Sequence, residues 1–331
     1  MTVDDARARS ERSGAAFGIG APAGSVSIRD ATLKLPHSQI QCRVYTPVSD
    51  ASASLPRTLL MYAAAILLQA TFYLDMRFLS FSYFHGGGWT VGSLDSHDGV
   101  CQLLSYQNGI SVVSVAYRLA PENPFPCAVD DAIASCTFIL NQLHHPTGTS
   151  CLGIDAADAA ALWGVAAGAD IGVGGDSAGG TLAAVVAQHL RTSLSFQLLV
   201  YPFTDGCRAN ASDALYTHHV LTPQVIDWFQ LQYVGPTPPL HDARYAPLFC
   251  TDFSALPPAL VVLAECDPLY DHGVRYAQAM RDGGSCAEVV VAHGALHAFF
   301  HLQKFYVAAA ASVMPQIQSW IRGRLWRRCS D

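Results

Sequence analysis

Ser177 lies in a sequence context that is typical of a catalytic nucleophile. It is the central residue of the run GDSAG, residues 175–179, which follows an apolar stretch that favours a strand and precedes a segment that favours a helix. In such a Gly-x-Ser-x-Gly turn the serine adopts strained dihedral angles, so the residues two positions away must be small, as Gly175 and Gly179 are. The helix that follows directs its N-terminal N–H groups toward a developing negative charge. The alternative is a glycine-rich turn with an incidental serine.

A second glycine run could supply the hydrogen-bond donors that such a nucleophile requires. The sequence HGGGW, residues 85–89, follows the β-favouring run 78–84. A tetrahedral acyl intermediate carries an oxyanion, which preorganised backbone N–H groups stabilise, and glycines allow the backbone to approach closely. Gly86 and Gly87 are therefore candidates for an oxyanion hole, together with Ala178, which directly follows the serine. Without the nucleophile turn, the same glycines would indicate a plain flexible loop.

A carboxylate and a histidine follow the serine in the chain, in the order Ser, Asp, His. Apolar stretches that favour buried strands precede two candidate acids, Asp267 and Asp271, and two candidate bases, His293 and His297. A serine nucleophile needs a base to take its proton, and the imidazole needs a carboxylate that fixes its tautomer and stabilises the imidazolium. This chain order is the one found on the α/β-hydrolase fold. The spacing by itself does not decide between the two candidate acids or between the two candidate bases.

Further short motifs accompany these residues in a specific order. They include YRLAPE at residues 117–122, PFP at 124–126, AECDPL at 264–269 and HAF at 297–299. With these motifs the chain resembles the hormone-sensitive-lipase-like family of α/β-hydrolase carboxylesterases, which is related to the arylacetamide deacetylases, over residues 26–300. The resemblance implies an α/β-hydrolase fold, with a mostly parallel central sheet, helices on both faces and a helical cap.

The resemblance also implies a role for each candidate residue. The acid of the family stands directly before Pro-Leu, and its histidine precedes a small residue and an aromatic, which favours Asp267 over Asp271 and His297 over His293. This chemistry involves no metal and no organic cofactor. The implied nucleophile, acid, base and three oxyanion donors are Ser177, Asp267, His297, Gly86, Gly87 and Ala178.

The composition is consistent with a large buried core and argues against some partners. Of the 331 residues, 51% are hydrophobic and only 14% are charged, as expected for a parallel sheet whose strands are apolar on both faces. The net charge of −7 argues against nucleic acid or an anionic membrane surface as a partner. The ten cysteines include no Cys-x-x-Cys pair and no Cys/His metal-ligand spacing. We therefore expect reduced thiols in a cytoplasmic protein, and we expect no secretory signal because the first residues lack an apolar segment.

The whole chain, residues 1–331, is predicted to form one α/β-hydrolase domain. The resemblance implies a cap contributed by about residues 1–30 and 205–245. Two segments depart from the family pattern, residues 63–83 and 159–170, and each precedes a predicted catalytic motif. We interpret them as tolerated loop insertions or as retained non-coding sequence.

A segment that contacts a membrane near the site is the alternative interpretation of the first insertion. The apolar run in this part of the chain, residues 59–74, is shorter than the roughly 18–20 apolar residues that a spanning helix needs. We therefore expect no stable membrane span. Two candidate strands flank the insertion, and we expect residues 81–84, next to His85, to occupy the strand position.

The sequence thus predicts a serine hydrolase that cleaves carboxylic esters of small or medium acyl chains through an acyl-enzyme. Its predicted partner is a small-molecule ester substrate. The sequence leaves open whether the protein forms a homodimer. An amidase or deacetylase would use the same groups. A non-catalytic receptor of the gibberellin-receptor type is a second alternative, although that type lacks the catalytic histidine and His297 is present here. A third is a chain inactivated by the two insertions.

Overall fold

The computed structural model describes residues 2–48, 79–144, 170–207 and 209–328. Most of the two predicted insertions, residues 63–78 and 159–169, lies outside these described residues. No helix within the described residues is long and apolar enough to cross a membrane.

A single sheet forms the centre of the described structure. Its strands are β1 (Val26–Lys34), β2 (Gln39–Pro47), β3 (Leu79–Phe84), β4 (Ser111–Val115), β5 (Asp170–Asp176), β6 (Phe196–Val200), β7 (Ala259–Cys266) and β8 (Ala287–Leu296). Their order across the sheet is β1-β2-β4-β3-β5-β6-β7-β8. β2 is antiparallel to both of its neighbours, β1 and β4, and every other neighbouring pair is parallel. The predicted mostly parallel sheet is therefore confirmed.

Helices cover both faces of this sheet. They are α1 (Val3–Phe17), α2 (Asp98–Asn108), α3 (Cys127–His144), α4 (Ala178–Leu190), α5 (Ala211–Leu215), α6 (Pro223–Val234), α7 (Tyr270–Asp282) and α8 (Val307–Arg328). Short 3₁₀ turns lie at Arg191–Ser193 and Pro247–Phe249. Side chains of α3, α4 and α7 form one apolar core with the sheet, and side chains of α2 and α8 form a second core.

The central strands are apolar because they contribute to both cores. Side chains alternate between the two faces of a strand. Val113 and Val115 of β4 accordingly belong to the first core, whereas Val112 belongs to the second. All residues of β4 and β6 are buried. This burial on both faces explains the high hydrophobic content of the chain.

Two helices that carry residues of the candidate site begin at capping residues. The Thr2 side chain accepts the Asp5 N–H, and the Asp5 carboxylate accepts the Thr2 N–H, which forms a capping box at the start of α1. The Thr222 side chain accepts the Val225 N–H at the start of α6, and Pro223 occupies the first helical position. Local sequence therefore sets where both helices begin.

The pairing of β3 with β5 places two sequence motifs side by side. Phe84, the last residue of β3, pairs with Gly175 in parallel register. Residues 85–89 continue from β3, and Ser177 directly follows β5. The carboxyl ends of parallel strands lie at one edge of a sheet, where α/β proteins bind their ligands. The expectation that residues 81–84 occupy the strand position is confirmed.

Phe81 tests how strongly β3 contributes to stability. Its side chain is fully buried and stacks on Phe196, with ring centroids 5.6 Å apart. We expect Phe81→Ala to lower the free energy of unfolding by about 3–5 kcal/mol, because the loss of the ring leaves a cavity. Urea denaturation measures this change. Phe305→Ala is the matched control, because the Phe305 side chain is 63% exposed. This substitution should lower the free energy of unfolding by less than about 1 kcal/mol. Equal losses in the two variants would contradict a packing role for Phe81.

Candidate active site

Ser177 occupies the tight turn between β5 and α4. Its φ of 54° and ψ of −120° lie outside the regions that L-residues favour. The Ser177 N–H donates to the Val200 carbonyl at 2.9 Å, which holds the turn on β6. A Cβ atom at Gly175 or Gly179 would overlap the Phe84 carbonyl oxygen. The turn therefore has the geometry of a nucleophile elbow, with glycine required on both sides.

A continuous hydrogen-bonded chain joins three side chains at this edge of the sheet. His297 Nε2 lies 2.9 Å from Ser177 Oγ, and His297 Nδ1 lies 2.7 Å from Asp267 Oδ2. Asp267 is fully buried, and its other carboxylate oxygen accepts the Leu269 N–H at 2.9 Å. Asp267 directly follows β7 and His297 directly follows β8, so neighbouring parallel strands position both side chains.

The competing acid and base have other partners. The Asp271 carboxylate accepts the Ser212 N–H at the start of α5, at 2.8 Å. The His293 side chain is 81% exposed and lies 3.2 Å from Glu265. Their contacts therefore direct both side chains away from the serine.

Two backbone N–H groups of the glycine run are free to bind an oxyanion, but one predicted donor is not among them. The Gly86 N–H donates to Asp176 Oδ1 at 2.9 Å, so the assignment of Gly86 to the oxyanion hole must be corrected. Gly87, Gly88 and Ala178 line the cavity beside the serine. The N–H groups of Gly87 and Gly88 have no hydrogen-bond partner among the described residues. That of Ala178, in the first turn of α4, lacks an intrahelical acceptor.

The sequence analysis did not identify the residue that accepts the hydrogen bond from the Gly86 N–H. Asp176 is buried, and its Oδ1 atom also accepts the Tyr83 hydroxyl at 2.7 Å. Burial raises the pKa of this carboxyl, but His97, His301 and the Tyr83 hydroxyl outweigh that effect and hold the pKa well below its usual range. The Asp176 carboxylate therefore stays charged and holds the start of the glycine run. A charged residue between two apolar elements was the available signal.

A cavity of about 240 Å³ opens beside Ser177. Its wall is mostly apolar, and the segments predicted to form the cap contribute to it through Ser10 and several side chains between Val220 and Gln230. The Phe229 ring of α6 lies so close to Gly88 that a Cβ atom there would overlap it. The third glycine of the run is therefore required by close packing against α6.

Comparisons with known proteins agree with this geometry. Residues 81–301 match the family described as alpha/beta hydrolase fold. The ethyl acetate hydrolase of Pseudomonas putida is 36% identical over 226 residues, which are 66% of this chain and 65% of that protein. The carboxylic ester hydrolase LipN of Mycobacterium tuberculosis is 36% identical over 259 residues, which are 74% of this chain and 63% of that protein. The matches thus span slightly less than two thirds of both relatives.

Solved structures show the same fold. The esterase of Pyrobaculum calidifontis is 29% identical, with a TM-score of 0.77, and the match covers 98% of this chain and 93% of that one. An ester hydrolase from the metagenome of Lake Arreo, solved with a derivative of bipyridine phosphonate, is 33% identical with a TM-score of 0.74. That match covers 95% of this chain and 90% of the other. The chain therefore belongs to the hormone-sensitive-lipase-like carboxylesterase family, on the alpha/beta hydrolase fold.

Proposed function

We propose that this protein is a serine hydrolase that cleaves carboxylic esters of small or medium acyl chains through an acyl-enzyme. The observation that carries the proposal is the hydrogen-bonded chain from Asp267 through His297 to Ser177, with distances of 2.7 and 2.9 Å. The names of the two relatives, an ethyl acetate hydrolase and a carboxylic ester hydrolase, support ester bonds as the target. The small apolar cavity supports a short or medium acyl chain.

The first half of the reaction forms the acyl-enzyme. His297 Nε2 takes the proton of Ser177 Oγ as this oxygen attacks the ester carbonyl. Asp267 accepts a hydrogen bond from His297 Nδ1, which fixes the tautomer and stabilises the imidazolium that forms. The Leu269 N–H holds the second oxygen of Asp267, so the carboxylate cannot rotate away from the histidine.

The oxyanion that develops on the carbonyl oxygen needs donors that are already in place. We assign this role to the N–H groups of Gly87, Gly88 and Ala178, since Gly86 donates to Asp176. The positive end of α4 adds to the stabilisation, because this helix begins at Ala178. His297 then gives its proton to the leaving alcohol, and a water molecule releases the acyl group by the same steps.

The proposed setting of this reaction is the cytoplasm. Eight cysteines within the described residues are free thiols, and Cys42, Cys101 and Cys136 among them are buried. Burial raises the pKa of the Cys42 thiol to about 12, so it stays protonated and unreactive. A reducing compartment suits such a set of unpaired thiols.

Substitution of Ser177 tests the proposed function directly. The purified protein should hydrolyse p-nitrophenyl acetate and butyrate, and a fluorophosphonate probe should label Ser177. Ser177→Ala should abolish labelling and lower turnover by about four orders of magnitude or more, because the triad acts as one unit. Ser10→Ala is the control, since this serine lines the same cavity without a bond to His297, and it should retain both properties. Faster cleavage of p-nitroacetanilide than of the ester would favour an amidase, and labelling that survives Ser177→Ala would refute the assignment.

A matched pair of acid substitutions tests the role of Asp267. We expect Asp267→Asn to lower kcat by about 10⁴, because the amide favours the wrong histidine tautomer. Asp271→Asn should change kcat less than about tenfold, since Asp271 binds the Ser212 N–H and its replacement acts only on local structure. Steady-state kinetics with p-nitrophenyl butyrate and a thermal melt of each variant separate catalysis from stability. The reverse order of effects would transfer the role to Asp271.

Substitution of Phe229 tests whether α6 limits the length of the acyl chain. Its ring lines the cavity and packs on Gly88. We expect Phe229→Ala to raise the ratio of kcat/KM for p-nitrophenyl decanoate over acetate by about tenfold or more, because the truncation adds room for methylene groups. Leu231→Ala is the control, because Leu231 lies on the same helix and is 54% exposed. An unchanged ratio in Phe229→Ala would place the acyl chain elsewhere.

A further inference from the structure

Three potential metal ligands from distant parts of the chain meet behind the nucleophile turn. His97 directly precedes α2, Asp176 ends β5, and His301 follows β8. One donor atom from each lies within 4.8 Å of the others. We call these three residues the His-Asp-His cluster. No spacing in the sequence indicates it, because the three segments come together only in the folded sheet.

One oxygen of Asp176 has weaker contacts than the other. Oδ1 accepts short hydrogen bonds from the Tyr83 hydroxyl at 2.7 Å and the Gly86 N–H at 2.9 Å. Oδ2 has only long contacts, at 3.4 Å to the Tyr201 hydroxyl, 3.4 Å to His97 Nε2 and 3.8 Å to His301 Nδ1. Oδ2 is therefore a buried acceptor with capacity for a further bond.

The neighbours of His97 direct a ring nitrogen toward this carboxylate. His97 Nδ1 lies 2.8 Å from the Ser96 hydroxyl. The opposite ring nitrogen, Nε2, lies 3.3 Å from Oδ1 and 3.4 Å from Oδ2 of Asp176. A hydrogen bond from the other ring nitrogen is the usual support of a metal-bound histidine.

His301 supplies a second imidazole. Its Nδ1 atom is buried and has no hydrogen-bond partner among the described residues, so a metal ion could bind there. His301 and Asp176 also line the catalytic cavity, which connects the cluster with solvent.

We propose that the His-Asp-His cluster binds one divalent transition-metal ion, such as Zn²⁺, through His97 Nε2, Asp176 Oδ2 and His301 Nδ1. Bonds of about 2.0–2.1 Å in a tetrahedral site place neighbouring donor atoms roughly 3.3 Å apart. The observed distances from Asp176 Oδ2 of 3.4 Å to His97 and 3.8 Å to His301 are close to this value, and all three donor atoms lie within 4.8 Å of one another. Two imidazoles and one carboxylate suit such an ion and leave a fourth position open toward the cavity.

The ion would join three segments that lie far apart in the chain. These segments carry the nucleophile turn, the start of α2 and the loop after the catalytic histidine. Because the complete site exists only in the folded chain, metal binding stabilises the folded state. The proposed hydrolysis does not depend on this ion, so the two proposals can fail independently.

The test uses the full chain without an affinity tag, stripped with a chelator and then supplied with Zn²⁺ alone. We expect elemental analysis after dialysis to find one zinc per chain, and the melting temperature to rise by a few degrees. His301→Phe should weaken Zn²⁺ binding in isothermal titration calorimetry by at least about 100-fold, and His97→Asn should do the same. His293→Gln is the control, since it removes an exposed histidine outside the cluster, and it should retain one zinc.

X-ray absorption at the zinc edge provides a readout of the ligands themselves. We expect two imidazole nitrogens in the wild-type spectrum and one in His301→Phe. Absence of stoichiometric zinc in the wild-type protein would overturn the proposal, because the two histidines would then serve only as neighbours of the Asp176 carboxylate. Unchanged zinc affinity in His301→Phe would also overturn it. If His97→Asn does not fold, His301→Phe alone tests the proposal. A thermal melt of His301→Phe without metal shows whether that substitution affects folding.

Discussion

The candidate site depends on a place where two backbone segments approach so closely that no side chain fits between them. The carbonyl of Phe84 at the end of β3 lies against Gly175 and Gly179, on either side of Ser177. Parallel pairing of Phe84 with Gly175 produces this approach. A side chain at either glycine would push β3 away from β5, and with it the glycine run that begins at His85. The strained serine and the proposed oxyanion donors therefore share one structural origin.

A buried charge fixes the arrangement that this close approach makes possible. Asp176 lies inside the protein, where a carboxylate is costly unless it is well solvated by hydrogen bonds. Tyr83 and the Gly86 N–H bind one of its oxygens, so the glycine run is anchored at its first glycine. The anchor determines which N–H groups are left for an oxyanion, those of Gly87 and Gly88. The same residue provides the carboxylate of the proposed metal site.

Aromatic packing connects the glycine run with the helix that covers the cavity. Trp89, which follows the glycines, stacks on Tyr233 of α6 with ring centroids 4.5 Å apart and meets Phe203 edge-on at 5.5 Å. Phe229 of the same helix lies on Gly88. Because α6 contacts both the proposed oxyanion donors and the cavity, a change in its packing alters the shape of the cavity and the position of the glycine run together.

The sequence by itself determined the features that depend on local backbone geometry and on burial. The glycines around Ser177, the apolar runs of a two-sided sheet and the strand before His85 could all be predicted from neighbouring residues. Tertiary structure alone decided which donors and acceptors meet. Hydrogen bonds such as that from Gly86 to Asp176, 90 residues apart in the chain, depend on strand register and on competition among nearby groups. For that reason the sequence did not reveal that Gly86 is already bonded or that His97 and His301 flank Asp176.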